Sequence, residues 1–374
     1  MTSPLNPPFR AEIVGSFLRP DAIKTARADL REGRITPARL REIEDTAIRD
    51  VVAMQEAVGL EVATDGEYRR GTYSENFTTK GLTGISSAHS GTGNWSYSDG
   101  KGGTRNARVP VVRERIRWSG GSGNVADFSF LKSVVKSATP KITLPGPCYI
   151  YQRAGRDNIS REAYPNLDQF WADIAAGYHA EIKALHAAGC RYLQLDDTAV
   201  AKLADPKIQH ALAERGDDWE RLLGTYTDAI NAVIDGAPSD MLVALHLCRG
   251  NQAGHWQAAG GYDPVSEHLF ARIRAQAYFL EYDSPRAGTF EPLRALPDDK
   301  VVVLGLVSTK TAGLENAEAV RNRIEEASKI VPLDRLCLSP QCGFASSETG
   351  NPLSPADQRA KLELVVSLAD AVWH

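Results

Sequence analysis

Residues 241–251 read MLVALHLCRGN. The run from Met241 to Leu245 has the length and apolar composition of a buried strand. His246 and Cys248 follow it, and their side chains leave an extended segment on the same side because they are two residues apart. A second thiol, Cys342, follows another apolar run further along the chain. One imidazole and two thiols favour Zn²⁺, so the sequence predicts a zinc site at the ends of strands.

Strand-like runs of this kind recur along the whole chain. Eight runs are predicted as strands: Ala11 to Val14, Glu61 to Thr64, Lys141 to Leu144, Arg191 to Leu195, Met241 to Leu245, Ala277 to Leu280, Val301 to Leu306 and Arg335 to Leu338. Helical patterns with apolar residues about every 3.6 positions lie between most of them. They are Thr36 to Val58, Pro165 to Ala188, Trp219 to Ile234, Asn316 to Ile330 and Pro355 to Val372.

Eight strands that alternate with helices predict an α/β fold, a (β/α)₈ TIM barrel. A doubly wound sheet is the alternative, but residues 15–20, GSFLRP, lack the GxGxxG fingerprint of dinucleotide-binding folds. Thr36 is expected to cap its helix, with Pro37 in the first turn. We expect residues 1–374 to form a single barrel domain.

One stretch, Gly71 to Gly123, departs from the repeat as a long insertion after strand two. It is rich in Gly, Ser, Thr and Tyr, and Arg108 to Trp118 within it is predicted as a small β-hairpin. Long loops at this position act as lids or partner contacts. A disordered surface insertion is the other interpretation.

The bulk composition limits the functional classes. The chain has 374 residues, 43% hydrophobic and 24% charged residues, and a net charge of -4, which gives no reason to expect nucleic acid or an anionic membrane as a partner. No apolar run reaches the ~18 residues that span a bilayer, and the N-terminus shows no secretory signal. Five cysteines do not make a disulfide scaffold, so a reducing cytoplasm is expected. The sequence leaves open whether the chain forms a homo-oligomer.

Chemistry in a (β/α)₈ barrel lies where the strands end and the following loops begin. The polar groups at these ends are Ser16; Asp65 and Glu67; Asp196 and Asp197; His246, Cys248 and Arg249; Glu281 and Asp283; Ser308 and Lys310; Gln341 and Cys342. Glu281 is the best fourth zinc ligand, although pairing with Arg286 or Lys310 is an alternative for it. Asp196 and Asp197 can be interpreted as a helix cap and a surface acid, but the favoured interpretation is that one of them binds a substrate cation. The remaining cysteines are interpreted as small hydrophobic residues: Cys148, Cys190 and Cys337.

A zinc site with two thiolates is better suited to holding a substrate thiol than to making hydroxide. The metal lowers the pKa of the thiol, while electron-rich ligands keep the sulfur nucleophilic. The predicted reaction is therefore attack of a substrate thiol on an alkyl carbon. Acids at strands two and four would hold an amino group, and Ser16 with nearby backbone N–H groups would hold a carboxylate.

Six segments carry a specific resemblance: residues 13–17 (IVGSF), 65–67 (DGE), 195–196 (LD), 246–248 (HLC), Glu281 and 340–343 (PQCG). Together they resemble the catalytic barrel of cobalamin-independent methionine synthase, and the chain is most similar to the short, single-barrel homologues of that family. The resemblance covers about Phe9 to Trp373. It implies that His246, Cys248, Glu281 and Cys342 bind zinc, and that Ser16, Glu67 and Asp196 hold the amino-acid end of homocysteine.

The resemblance further implies methyl transfer from 5-methyltetrahydrofolate, as a polyglutamate, to homocysteine. The full-length enzymes have an additional N-terminal barrel, which this sequence does not include. The family also carries a histidine acid in an Asp-x-His pattern after strand seven, where residues 307–310 here read VSTK. Lys310 stands near the place of that histidine and is predicted, with Asp196, as a catalytic residue. The methyl donor is left open between a methylfolate, a methylated corrinoid protein and another small molecule.

Two other functions are weighed against methyl transfer. Short relatives include zinc enzymes that open epoxides with coenzyme M, a sulfonate thiol that would favour basic residues such as Arg19, Arg69, Arg70 and Arg249. A zinc-storage or regulatory protein without turnover is a third hypothesis, disfavoured by the fully furnished barrel mouth. Hydrolysis is disfavoured as well, because barrel hydrolases use histidine and carboxylate ligands.

Overall fold

The computed structural model describes residues 7–89, 96–98, 104–106 and 108–373 of the chain. The helices are α1 Asp21–Arg31, α2 Pro37–Ala57, α3 Asn124–Val134, α4 Tyr149–Ala154, α5 Asp168–Ala187, α6 Pro206–Glu214, α7 Trp219–Asp235, α8 Ala317–Ser328 and α9 Pro355–Trp373. The strands are β1 Val62–Ala63, β2 Leu82–His89, β3 Ser96–Ser98, β4 Thr104–Asn106, β5 Arg108–Trp118, β6 Thr139–Pro140, β7 Ile142–Pro145, β8 Tyr192–Asp197, β9 Leu242–Leu247, β10 Ala277–Glu281, β11 Val301–Val307 and β12 Leu336–Pro340.

A six-stranded parallel sheet in the order β12-β11-β10-β9-β8-β7 forms the body of the barrel. Its strands are nearly continuous apolar runs, and every residue of β11 is buried, as expected for a parallel sheet covered by helices on its outer face. Successive side chains of β8 are all buried but pack on opposite faces of the sheet. Leu193 and Leu195 pack into the cluster that contains the outer helices, whereas Tyr192 packs into the cluster with Ala244 and Phe279.

The remaining two barrel positions continue this sheet at its edges. Ala11 bridges Leu338 of β12, and β1 pairs in parallel with β6, which leads directly into β7. Between the two edges, the backbone N–H of Phe17 donates to the carbonyl of Gly66 at 3.1 Å. The predicted (β/α)₈ class is therefore confirmed, although no continuous ladder closes the barrel in the described part of the chain.

The first two predicted strands are shorter than expected because side chains take their backbone hydrogen bonds. The carboxylate of Glu12 accepts from the N–H of Ile13 at 3.2 Å, and the amide oxygen of Gln55 accepts from the N–H of Thr64 at 2.9 Å. The predicted strand Ala11 to Val14 is accordingly reduced to one bridge, and Glu61 to Thr64 to the two residues of β1. The cap at Thr36 is confirmed, since its hydroxyl accepts from the N–H of Arg39.

The structure places β2 and β5 within the segment predicted as an insertion, 71–123, but the predicted hairpin inside it is wrong. Residues Arg108–Trp118 form a single strand, β5, and its antiparallel partner is β2. The segment has no turn residue at its centre, whereas Gly84, at φ +79°, lets β2 bulge against the carbonyls of Glu114 and Arg115. Residues 90–95, 99–103 and 107 of the insertion lie outside the described residues.

The sheet formed by β2 and β5 packs on α5 of the barrel. The indole N–H of Trp118 donates to Glu181 at 2.7 Å, and Arg115 pairs with Asp173 at 2.5 Å. These contacts hold the base of the insertion against the barrel wall. Within the described ranges, none of the helices combines the length and the apolar composition that a bilayer span requires.

Candidate metal centre and substrate site

Three buried side chains with metal-binding atoms meet at the mouth of the barrel. His246 lies on β9, Cys248 directly follows β9, and Cys342 follows β12. Their ligand atoms all lie within 4.8 Å of one another, and each residue is at most 5% exposed. The register of the parallel sheet thus brings together residues that are far apart in the sequence, as predicted.

The chemistry of these three groups fits a metal ion. Among the described residues, neither ring nitrogen of His246 has a hydrogen-bond partner, which is costly for a buried polar group. Hydrogen bonding from the Cys342 thiol lowers the pKa of Cys248 well below its usual range, and the same contact raises that of Cys342. Burial opposes a positive charge on His246, yet the neighbouring Cys248 raises the pKa of the imidazole. One imidazole and two cysteine sulfurs, both as thiolates once a metal is bound, are a donor set that suits Zn²⁺.

Glu281, the predicted fourth ligand, ends β10 beside this group but lies outside it. One carboxylate oxygen accepts from the ammonium of Lys310 at 3.1 Å and from Arg286, and the other accepts from the backbone N–H of Arg249 at 2.6 Å. Burial opposes ionisation of Glu281, but Lys310 and Arg286 outweigh it and lower the pKa of the carboxyl. Both pairings that the sequence offered as alternatives to ligation are therefore formed.

Strand register places Asp196, at the end of β8, next to the metal-type group of His246, Cys248 and Cys342. It pairs with His246 across the β8–β9 ladder, and its carboxylate accepts from Gln194 at 2.7 Å. Burial raises the pKa of Asp196 to about 7, an effect that His246 reduces and Glu67 increases. Asp197 instead caps the following turn through the N–H groups of Ala199 and Val200, each at 2.9 Å. Asp197 is therefore the capping residue, and Asp196 is the acid that lies next to His246.

Glu67 reaches the same site from the turn after β1. Its backbone has φ +59°, a conformation that non-glycine residues rarely adopt, and the Asp65 carboxylate accepts from its N–H at 2.8 Å. One carboxylate oxygen accepts from the hydroxyl of Thr143 at 2.8 Å. The other is buried and has no partner among the described residues. An unsatisfied carboxylate oxygen is an acceptor for a substrate cation.

Ser16 lies against the turn that follows Cys342. Its carbonyl accepts from the N–H of Phe344 at 2.8 Å, and its hydroxyl oxygen accepts from the N–H of Ala345 at 3.3 Å. A Cβ atom on Gly343 would collide with that hydroxyl oxygen, so the close approach depends on glycine at this position. The predicted carboxylate-binding residue and a predicted zinc ligand are consequently parts of one packed unit.

Lys310, predicted as a catalytic acid, lies within this arrangement. Its ammonium is 3.1 Å from Glu281 and 3.9 Å from Asp283, and the side chain is 7% exposed. Burial disfavours the charge, but Glu281 and Asp283 outweigh it and raise the pKa of Lys310. Lys310 is therefore an ammonium at neutral pH.

The four arginines that supported a sulfonate substrate all have partners within the protein. Arg19 donates to the carbonyl of Glu67 at 2.9 Å, and Arg69 pairs with Asp127 at 3.1 Å. Arg70 donates to Thr143 at 2.9 Å. Arg249 donates to the carbonyl of Gly260 at 2.7 Å and stacks on Tyr262. These side chains organise loops around the site.

Three buried polar residues near the site were not singled out from the sequence. Lys202 is fully buried and donates to Gln257 at 2.5 Å, and burial, followed by the nearby charge of Arg153, lowers its pKa well below the usual value. Gln194 and Lys141 lie in the barrel interior below Asp196. A polar residue in or directly before an apolar strand was the available signal for Gln194 and Lys141. Lys202 lies in the short helical turn Ala201–Ala204, whose sequence gives no such signal.

A cavity of about 880 Å³ is lined by residues that contact the turn of Cys342, although His246, Cys248 and Cys342 do not line it themselves. Its walls come from α1, α2, α3, α4, the base of the insertion and residues 346–348. Two lining residues connect it to the centre: Asn251 donates to the carbonyl of Gly343 at 3.0 Å, and the hydroxyl of Ser346 is 3.9 Å from the sulfur of Cys342. The volume is in the usual range for sites that bind small molecules.

Comparison with known proteins adds to this geometry. The sequence model of the family described as cobalamin-independent synthase, catalytic domain, matches residues 9–369. YxjG of Bacillus subtilis (strain 168), an uncharacterized protein, is 40% identical to this chain, and the alignment covers 98% of this chain and 95% of YxjG. The crystal structure of a candidate vitamin-B12 independent methionine synthase from Listeria monocytogenes has a TM-score of 0.74 and 34% identity, and the match covers 98% of both chains.

A more distant relative has a named activity. It is a 5-methyltetrahydropteroyltriglutamate–homocysteine methyltransferase of Streptomyces coelicolor, which is 25% identical to this chain. The alignment covers 97% of this chain and 42% of that protein. This chain therefore spans less than half the length of that enzyme.

Proposed function

We propose that this chain, which belongs to the catalytic-domain family of cobalamin-independent methionine synthases, is a zinc-dependent S-methyltransferase that makes methionine from homocysteine. The family is one of methyltransferases. The observation that carries the proposal is the register pairing of Asp196 with His246. It puts an acid suited to binding a substrate ammonium beside the group of His246, Cys248 and Cys342. A thiol site and an amino-group site are thereby adjacent.

The three residues His246, Cys248 and Cys342 would hold the zinc ion. Bound there, zinc would lower the pKa of an incoming thiol and so keep its sulfur nucleophilic at neutral pH. Glu281 is the proposed fourth ligand, and it would have to exchange its contacts with Lys310 and Arg286 to reach that position. Because two cations compete with the metal for this carboxylate, a substrate thiol would be able to replace Glu281 at the fourth position.

The amino-acid part of homocysteine would be recognised by residues on three strand ends. The free oxygen of Glu67 and the carboxylate of Asp196 would accept hydrogen bonds from the substrate ammonium. The hydroxyl of Ser16 would donate to the substrate carboxylate. This arrangement requires a thiol that carries an amino group, which distinguishes homocysteine from coenzyme M.

Lys310 would supply the proton to the leaving group of the methyl donor. Its pairing with Glu281 and Asp283 keeps it protonated at neutral pH, which a general acid requires. It would replace the histidine that the family carries at this place. Asp196 would take part in the same reaction by fixing the position of the substrate amino group.

The cavity beside Cys342 supports a small-molecule methyl donor. About 880 Å³ suffices for a methylfolate, whereas a carrier protein would not need a cavity of this kind. We therefore place 5-methyltetrahydrofolate, or a related small donor, ahead of a corrinoid protein. The six-stranded sheet, with Ala11 bridged to one edge and β6 leading into the other, supports a single barrel domain over residues 1–374 with an insertion at 71–123.

Zinc content and proton release on addition of homocysteine would test the proposal. The purified chain is expected to hold about one zinc per site and to release about one proton when homocysteine binds. Transfer of a labelled methyl group from 5-methyltetrahydrofolate to homocysteine would then establish the reaction. Zinc-loaded protein that releases no proton with homocysteine, but does so with coenzyme M, would favour alkyl transfer to the other thiol.

A further inference from the structure

A line of buried polar side chains runs through the barrel interior below Asp196. Glu12, Lys141 and Gln194 are each at most 1% exposed. The ammonium of Lys141 donates to the carboxylate of Glu12 at 3.2 Å, to the amide oxygen of Gln194 at 3.1 Å and to the carbonyl of Ile13. All three of its N–H groups are therefore used.

The chemistry of Lys141 fixes which way the Gln194 amide points. An ammonium can only donate hydrogen bonds, so the side of Gln194 that faces Lys141 must be its carbonyl oxygen. The NH₂ group then faces the opposite way and donates to Asp196 at 2.7 Å and to the carbonyl of Val14 at 2.8 Å. A flipped amide would place an NH₂ group against an ammonium and an oxygen against a carboxylate.

Lys141 itself is held on several sides. The carboxylate of Glu12 also accepts from the hydroxyl of Tyr192 at 2.7 Å and from the N–H of Phe9 at 3.0 Å. The ammonium lies 4.5 Å from the ring centre of Phe279 and 5.1 Å from that of Tyr192. These contacts fix the position of the buried Lys141 ammonium. The amide of Gln194, which accepts from it, is therefore held in one orientation.

We propose that Gln194 is a positioning residue that orients Asp196 toward the amino group of the thiol substrate, and that Lys141 and Glu12 lock it in the orientation this requires. The inference rests on the proposed function. One oxygen of Asp196 is bound from below by the amide, which leaves the other for the substrate ammonium. The relay of Glu12, Lys141 and Gln194 thus determines which thiols the site accepts, and it leaves the binding of the sulfur atom unchanged.

The variant Gln194→Met tests this, because methionine has nearly the same shape but cannot donate to Asp196. Calorimetry on the zinc-loaded full chain would compare L-homocysteine with 4-mercaptobutanoate, which is homocysteine without its amino group. The preference of the wild-type protein for homocysteine is expected to fall about 10- to 100-fold in the variant, while 4-mercaptobutanoate binds as before. Gln55→Met is the matched control, since Gln55 is equally buried but bonds Val51 and Thr64.

A second variant keeps the proposal testable if Gln194→Met does not fold. Glu12→Gln combined with Lys141→Met removes the buried ion pair as a whole, a change that proteins often tolerate, and it releases the amide of Gln194. The preference for homocysteine is expected to fall here too. Full preference in either variant, or an equal loss for both thiols, would overturn the role of the relay. A wild-type protein with no preference would instead overturn the proposed function, and the relay with it.

Discussion

The ammonium of Lys310 donates a hydrogen bond to Glu281 across 3.1 Å. The residue expected to protonate the leaving group and the residue expected to complete the metal site are therefore partners. Arg286 binds the same carboxylate oxygen, so Glu281 stays fixed by a second cation if Lys310 is removed. This relationship allows the acid function and the metal function to be separated by mutation.

Lys310→Met should slow methyl transfer about a hundredfold and leave the zinc content at the wild-type level, because the three principal ligands are untouched. Steady-state rates and metal analysis would measure both effects. Lys329→Met, at an exposed position, is the control and should change neither. Loss of zinc in Lys310→Met would show that the lysine has a structural role in the metal centre.

Cys342→Ser and His246→Ala should each lower the zinc content to about a tenth or less, with the fold retained, since each removes one of three clustered ligands. Metal analysis and circular dichroism would check this. Cys190→Ala removes a buried thiol outside the cluster and should retain full zinc. Full occupancy in both ligand variants would refute the assignment.

Glu67→Gln should weaken homocysteine binding about 10- to 100-fold and have little effect on 4-mercaptobutanoate, because in the proposed binding mode the lost charge faces the amino group. Titration calorimetry with both thiols would measure the difference. Glu75→Gln, on the wall of the cavity, is the matched control and should leave homocysteine binding unchanged. If Glu67→Gln weakens both thiols equally, Glu67 does not recognise the amino group.

Ala126→Trp should obstruct the cavity proposed for the methyl donor, since Ala126 lines it from an exposed position on α3. We expect the KM for 5-methyltetrahydrofolate to rise about tenfold while the affinity for homocysteine stays constant. Ala187→Trp places the same side chain on α5, outside the lining residues, and should leave both values unchanged. An unaltered KM in Ala126→Trp would place the donor elsewhere.

Much of the site could be predicted because a (β/α)₈ barrel converts strand ends into neighbours. The pairing of His246 with Asp196 needed only the assignment of β8 and β9 as adjacent parallel strands. The hairpin predicted within Arg108 to Trp118 failed for a different reason. The alternation of apolar residues identifies a strand but not its partner, and that partner, β2, lies before the strand in the chain.

The sequence by itself determined the fold class and the chemical identity of the metal-type residues, because hydrophobic period and residue type are local properties. Only the tertiary structure decided which partners each charged group took. Glu281 is bound by Lys310 and Arg286, Asp197 caps a turn, and Gln194 is oriented by Lys141, which directly precedes the neighbouring strand β7. These contacts depend on distances of about 3 Å between residues remote in sequence, and in a buried site such distances set the charge and direction of each group.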